Sequence, residues 1–207
     1  MENLVSKSVT FKGLLAIFQD ETHTLFDFIM NLKNEDAKQR LCDEARDYYA
    51  KYFNINKEDI WYGNLSGNKI PNPFPYTHIV GDLDWIVNKD MSKLIYLAGS
   101  IRNNHIEEYP NLETITGCGD FYGSNIKRLP KLKHAQALYI GCTPIEDIRS
   151  LVKVDGPLNC YNTNIKLINP NLEIMGRLYC QKSNHFEEKI DISKKHNWWY
   201  TDNLNIL

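Results

Sequence analysis

Leu138–Ile148 reads LYIGCTPIEDI, and twenty residues later Leu158–Ile168 reads LNCYNTNIKLI. Both stretches place leucine first, a small or branched apolar residue third, threonine sixth and isoleucine eighth. Leu138 and Ile140 alternate with Tyr139 in a period of two, which predicts a short strand with the two aliphatic residues inward and the tyrosine outward. Thr143 then turns the chain, its hydroxyl free to bond backbone groups of the turn. Ile145 and Ile148 bring apolar surface back to the core.

The pattern extends in both directions. IVGDLDW (Ile79–Trp85), ITGCGDF (Ile115–Phe121), VDGPLNC (Val154–Cys160) and IMGRLYC (Ile174–Cys180) align, HAQALYI (His134–Ile140) fits the second half, and a weaker copy runs through Ile95 and Leu97. Three residues after the aligned block stand Ser124, Thr143, Thr163 and Ser183, followed two later by Ile126, Ile145, Ile165 and His185. Ile126 and Ile145 are nineteen residues apart, and Ile145 and Ile165 twenty. A period held this closely marks a solenoid, because each unit buries its apolar edge only by stacking on the next. The strands should stack in parallel about 4.8 Å apart. A unit this short predicts an outer wall of turns, extended chain or 3₁₀ segments rather than α-helices.

The series L-x-I-x-x-T-x-I, L-x-C-x-x-T-x-I and L-x-C-x-x-S-x-H resembles the L-x-L-x-x-N-x-L core of leucine-rich repeats. NLEIMGRLYC is similar to the roughly twenty-residue leucine-rich-like arrays of bacterial and bacteriophage proteins. The resemblance covers about Ile79 to Ile190. It departs from the family where Ser or Thr replaces the ladder asparagine, where Gly119 replaces the leucine and where Gln136 replaces the glycine. It implies a short leucine-rich-repeat-like parallel β-solenoid and does not cover the N-terminus; since a solenoid needs sealed ends, the helical N-terminus is expected to cap it, making the chain α+β.

The remaining segments fit around that array. Between Asp20 and Phe53 the spacing predicts a helical hairpin. Asp20 caps a helix burying Leu25, Phe28, Ile29 and Leu32; Asn34 caps a second, with a stripe of Ala37, Leu41, Ala45, Tyr48 and Tyr52 and wet-side pairs Asp36–Arg40 and Asp47–Lys51. Thr10–Phe18 fits either a strand or a short helix. Asn, Gly and Pro dominate from Asn54 to Thr77, as in an ordered connector. The divisions expected are thus a helical cap over residues 1–56, a connector over 57–78, the solenoid over 79–190, and a C-terminal cap over 191–207 built on Trp198, Trp199 and Tyr200.

The 207 residues carry a formal net charge of -2, with 43% hydrophobic and 24% charged residues. That is an ordinary globular composition with no electrostatic footprint for nucleic acid or an anionic membrane. No run approaches the roughly 18 apolar residues of a membrane helix. Glu2 and Lys12 disfavour reading the N-terminus as a signal peptide. Cys42, Cys118, Cys142, Cys160 and Cys180 contain no CxxC pair, so reduced thiols in a cytoplasm are expected.

Signals for chemistry are sparse. Cys160 and Cys180 fall in the inward column with Phe121 and Ile140, which makes them core fillers rather than metal ligands. The six histidines form no HExxH or related motif. GNLSGNK (Gly63–Lys69) lacks the G-K-[ST] ending of a phosphate loop. Glu107–Glu108 and Glu187–Glu188 read as solvated surface. No cofactor is expected, and no enzymatic activity.

The outward residues are more telling. Asp84, Asp120, Tyr139, Asn159 and Tyr179 form one lane, Tyr122, Gly141, Tyr161 and Gln181 the next, and Cys118, Ala137, Pro157 and Arg177 a third. Tyrosines among Asn, Asp, Gln and Arg have the composition of a recognition surface, and the strand face of a solenoid is its usual binding face. The expected function is therefore a protein-interaction module binding through Asp120, Tyr122, Tyr139, Asn159, Tyr161, Arg177, Tyr179 and Gln181. The phage-like arrays add the expectation of an inhibitor of a host factor. Two alternatives are an N-terminal catalytic or toxin-like region using Asp47, Tyr48 and Tyr49, and nucleic-acid stacking on the exposed tyrosines.

Overall fold

The computed structural model describes residues 9–18, 22–180 and 198–200, with backbone alone at Thr22, 103–104 and 198–200. Asp20, Gln181, Ser183, His185 and Glu187–Glu188 lie outside the described residues, as do the side chains of the aromatic C-terminal cap. In-out alternation produces a parallel solenoid wound along two columns of short strands. The first column holds β1 (Ile60–Tyr62), β3 (His78–Val80), β5 (Tyr96–Ala98), β10 (Lys153–Val154) and β13 (Glu173–Ile174). The second holds β2 (Leu65–Ser66), β4 (Leu83–Ile86), β6 (Ile101–Asn104), β11 (Leu158–Asn159), β14 (Leu178–Cys180) and β15 (Trp198–Tyr200). β7 (Thr114–Asp120) and β8 (His134–Tyr139) run through both columns. On a separate wall β9 (Asp147–Ile148) pairs with β12 (Leu167–Ile168).

Register is continuous through every coil. Trp61, Ile79, Leu97, Ile115, Ala135, Val154 and Ile174 are successive partners in the first column. Leu65, Leu83, Ile101, Gly119, Leu138, Leu158, Leu178 and Trp198 follow one another in the second. From Ile79 to Ile174 and from Leu65 to Leu178, every side chain of these two rows except Gly119 belongs to the buried core. The space opposite Gly119 is filled by Leu138, Ile115 and Phe121, so a missing leucine does not open a void.

The array starts earlier than the sequence suggests: Ile60–Tyr62 and Leu65–Ser66, inside the expected connector, already pair with β3 and β4. Leu65, Leu83, Ile101 and Gly119 are each eighteen residues apart, whereas the steps to Leu138, Leu158 and Leu178 are nineteen, twenty and twenty. The extra length lies at one place. Gly67 and Trp85 turn the chain at φ 53° and 52°, two residues after Leu65 and Leu83; in the later coils the same left-handed corner falls four residues after, at Gly123, Cys142 and Asn162. Longer coils thus gain one inward and one outward residue: Phe121 with Tyr122, Ile140 with Gly141, Cys160 with Tyr161. Trp85, aligned by sequence with inward Phe121, is therefore a corner residue and 56% exposed.

Between the two columns Gly63, Gly81, Gly99, Gly117, Gly156 and Gly176 form a second corner in which backbones almost touch. A Cβ on Gly117 would lie 2.5 Å from the Gly99 carbonyl oxygen, and one on Gly176 2.4 Å from the Gly156 carbonyl carbon. The one coil with glutamine here, at Gln136, passes from Ala135 to Leu138 in three residues instead of four, which shifts the register between β7 and β8 after Ile115. On the third wall inward residues recur every three positions, as Ile126, Leu129, Leu132, Ala135 and again as Ile145, Ile148, Leu151, Val154. This spacing belongs to an extended three-residue winding rather than to an α-helix or a flat strand. Entry to that wall is fixed by the expected hydroxyls: Thr143 and Thr163 are buried and donate to the carbonyls of Ile140 and Cys160, both at 2.6 Å.

Three helices precede the array: α1 (Phe11–Ile17), α2 (Thr22–Met30) and α3 (Glu35–Phe53). Thr10 caps α1, so the undecided segment is a helix, and Asn34 caps α3 through Ala37 N–H at 3.0 Å. Leu25, Ile29, Leu32, Leu41 and Ala45 are buried as their spacing predicts, but Tyr52 is exposed. Arg40 pairs with Glu44 rather than Asp36, and Asp47 with Lys57 rather than Lys51. The helices pack flat on the outer side of the first column, against Tyr62, Val80 and Ala98. Arg46 of α3 also donates to the Ile60 carbonyl at 3.1 Å, which occupies a backbone acceptor of the first strand.

Candidate functional site

With the helices on the first column, the second column's outer face in the longer coils stays open. Its central lane runs Ser66, Asp84, Arg102, Asp120, Tyr139, Asn159 and Tyr179, following the register of Leu65, Leu83, Ile101, Gly119, Leu138, Leu158 and Leu178 beside them. Tyr139, Asn159 and Tyr179 are half-buried at their bases, as expected of side chains standing on a pleated sheet. The two inserted residues per coil create the neighbouring lane of Tyr122, Gly141 and Tyr161. Arg177 stands exposed in the third lane beside Tyr179.

Local hydrogen bonds hold this face. Asp120 and Asn159 each use Oδ1 to accept the backbone N–H two residues on, of Tyr122 at 3.2 Å and Tyr161 at 3.0 Å. Both therefore brace the strand end as well as facing outward. The Tyr122 ring leans over the next coil: its hydroxyl lies 3.3 Å from the Cys142 thiol, and a Cβ on Gly141 would come within 2.8 Å of the ring. Gly141 is thus the floor on which the ring lies. The Cys142 contact is the first cause of the raised Tyr122 pKa, and partial burial raises that of Tyr139. These phenols are neutral donors near pH 7.

Of the eight expected contact residues, seven are described and share this face; Gln181 is not described. The sequence reading placed Gly141 in its lane but not its role as the floor under the Tyr122 ring, which only the ring's position shows.

The other candidates resolve into packing. Cys160 and Cys180 are buried in the core, and among the described residues no cluster of three His, Cys, Asp or Glu could hold a metal ion. Burial pushes the thiols of Cys42 and Cys118 up to about 11. Among the described residues, the displaced thiols and phenols are displaced upward, the reverse of an activated nucleophile. His134 contacts Asp155 at 2.6 Å, and Asp155 also pairs with Lys153. His78 stacks on Tyr96 and meets the tilted ring of Phe53, and its pKa is lowered by burial. In GNLSGNK, Leu65–Ser66 is strand β2 and Gly67–Lys69 one 3₁₀ turn, with no α-helix to aim amides at a phosphate. Glu107 and Glu108 pair with Lys127 and Arg128, twenty residues on in the next coil.

Tyr48 and Tyr49 pack on Phe11, and Tyr49 also stacks on Tyr62. Burial pushes the Tyr49 phenol up to about 12. No helix among the described residues is long and apolar enough to cross a membrane.

These features define a class by architecture: a parallel β-solenoid with helices laid on one wall and an open tyrosine-bearing wall beside them. Comparison with protein-family models, with curated proteins and with solved structures finds no match for this chain.

Proposed function

We propose that this protein is a non-enzymatic interaction module that binds a protein partner across the open face of its second strand column. The observation that carries the reading is the two-residue insertion in the later coils. It adds an outward lane where the shorter coils have none, and that lane and its neighbour bear Tyr122, Tyr139, Tyr161 and Tyr179. Tyrosines on a stiff sheet present large ring area with little rotamer entropy to lose on binding.

The ion pairs favour a protein over a nucleic acid as partner. Lys127, Arg128, Lys133 and Lys166 meet Glu107, Glu108, Glu113 and Glu146 of the preceding coil, so these cations are matched by carboxylates rather than gathered for phosphates. The helices share one core with Tyr62, Val80 and Ala98, as a covering layer would. The likeness of the repeats to leucine-rich-like phage arrays supports a narrower proposal, that the partner is a host protein which this chain inhibits in the cytoplasm.

The test is affinity capture from a bacterial lysate, comparing the wild type with the Tyr139→Ala, Tyr161→Ala, Tyr179→Ala triple variant. A central tyrosine anchor is commonly worth about 2 kcal/mol, roughly 30-fold in Kd, so a specific partner should disappear from the triple variant while its circular dichroism is unchanged. Equal capture by the folded triple variant refutes the reading.

A further inference from the structure

Resting on that reading, we infer that the open face recognises a proline-rich segment in polyproline II conformation, lying along the solenoid axis. Tyr139 and Tyr179 are separated in their lane by Asn159, so the two tyrosines stand two coils apart; the Tyr122 ring leans over the Gly141 coil and lies off this spacing. At about 4.8 Å per coil the repeat is about 9.6 Å. A polyproline II helix repeats its face every three residues at about 3.1 Å each, about 9.3 Å in all. The two differ by about 0.3 Å per repeat, well within side-chain adjustment. A β-strand presents its face every 6.6 Å or so, and an α-helix every 5.4 Å, so neither stays in step with the tyrosines.

The chemistry of the face agrees with the spacing. The Tyr122 ring lies against the glycine floor at Gly141 and offers a surface on which a pyrrolidine ring can stack. Polyproline II chains keep their carbonyls unpaired. Asn159, whose Oδ1 is committed to Tyr161 N–H, keeps its amide N–H groups as donors between the tyrosines.

Charge sets the polarity. Toward the shorter coils the face continues, among the described residues, into Asp82, Asp84 and Asp120 with the cation Arg102, while Arg177 stands beside Tyr179. The segment that fits carries basic residues over the Asp120 end.

The test is a fluorescence-anisotropy titration with an oligoproline of about nine residues, three polyproline II turns, labelled and carrying arginines at one end. A peptide with the same arginines but glycine and serine in place of proline is the control. The expected result is saturable binding of the proline peptide. The glycine–serine peptide should bind at least about 10-fold more weakly, as should the proline peptide to Tyr139→Ala/Tyr179→Ala. Tyr139→Phe/Tyr179→Phe, which keeps the rings, should retain most of the affinity. Equal affinity for the two peptides, or equal affinity of the wild type and the folded double alanine variant, overturns the inference. If the proline peptide fails to bind while tyrosine-dependent capture of a partner succeeds, the polyproline inference falls and the binding-face reading stands. If capture also fails, both fall.

Discussion

Gly117→Ala tests the glycine corner without confounding backbone strain, since its φ lies outside the left-handed range. The added Cβ would sit 2.5 Å from the Gly99 carbonyl oxygen, 2.7 Å from its carbon and 2.7 Å from Ser100 Oγ. Ordinary contact requires about 3.4 Å, so the coils must separate locally by roughly 0.9 Å. Gly117 N–H now donates to Gly99 O at 3.0 Å, and Cys118 N–H to Ser100 Oγ at 3.1 Å. The same displacement stretches both beyond hydrogen-bonding distance. Losing two such bonds costs about 2 kcal/mol and imperfect repacking about 1 more, for a total near 3 kcal/mol.

With a urea slope of about 2 kcal/mol per molar, the unfolding midpoint followed by far-UV circular dichroism should fall by about 1.5 M. Gly123→Ala is the matched control. Its φ is +66° and a Cβ there meets nothing within 4 Å, so it carries the left-handed penalty alone, about 1 kcal/mol. If Gly117→Ala loses no more than Gly123→Ala, close backbone stacking is not why glycine occupies this corner.

Two further outcomes follow from the same geometry. Trp85→Gly should raise stability by about 1 kcal/mol, because an exposed tryptophan at φ 52° carries the left-handed penalty and loses little packing on removal; a loss above about 1 kcal/mol in the urea midpoint would show that the indole is a structural contact. Stability should also fall at alkaline pH. Burial raises Cys42 from 9.0 to about 11 and Tyr49 from 10.0 to about 12, so the folded state holds these protons more tightly than the unfolded chain. Their contribution is complete below pH 9 and is lost as the pH rises through 11 and 12. Urea midpoints measured from pH 8 to 11 should decline, with a shallower decline in Cys42→Ser; a rise above pH 9 would contradict the burial of these groups.

Much of the array was legible because the solenoid is a local code repeated. An inward side chain at Leu138, Leu158 or Leu178 is fixed by in-out alternation, and stacking forces each such residue onto its equivalent one coil away, so regular spacing in sequence becomes contact in space. Thr143 and Thr163 were readable as turn formers for the same reason. The i,i+20 ion pairs, such as Glu113–Lys133 and Glu146–Lys166, follow from the period once it is known. The start of the array was hidden because Asn, Gly and Pro around Ile60 and Leu65 mask two strands only three and two residues long.

What tertiary structure decided is where unlike parts meet. Alternation says that Trp85 and Phe121 are equivalent; only the corner positions reveal that the shorter coils turn two residues sooner and expose the indole. Apolar stripes show that the helices bury one face, but not that Tyr62, Val80 and Ala98 receive it, since that choice depends on which strand column the chain folds back upon. Sequence determined the coil and the lanes of outward tyrosines through short-range periodicity, whereas the long-range placement of three helices determined that the early coils of the first column, at Tyr62, Val80 and Ala98, are covered.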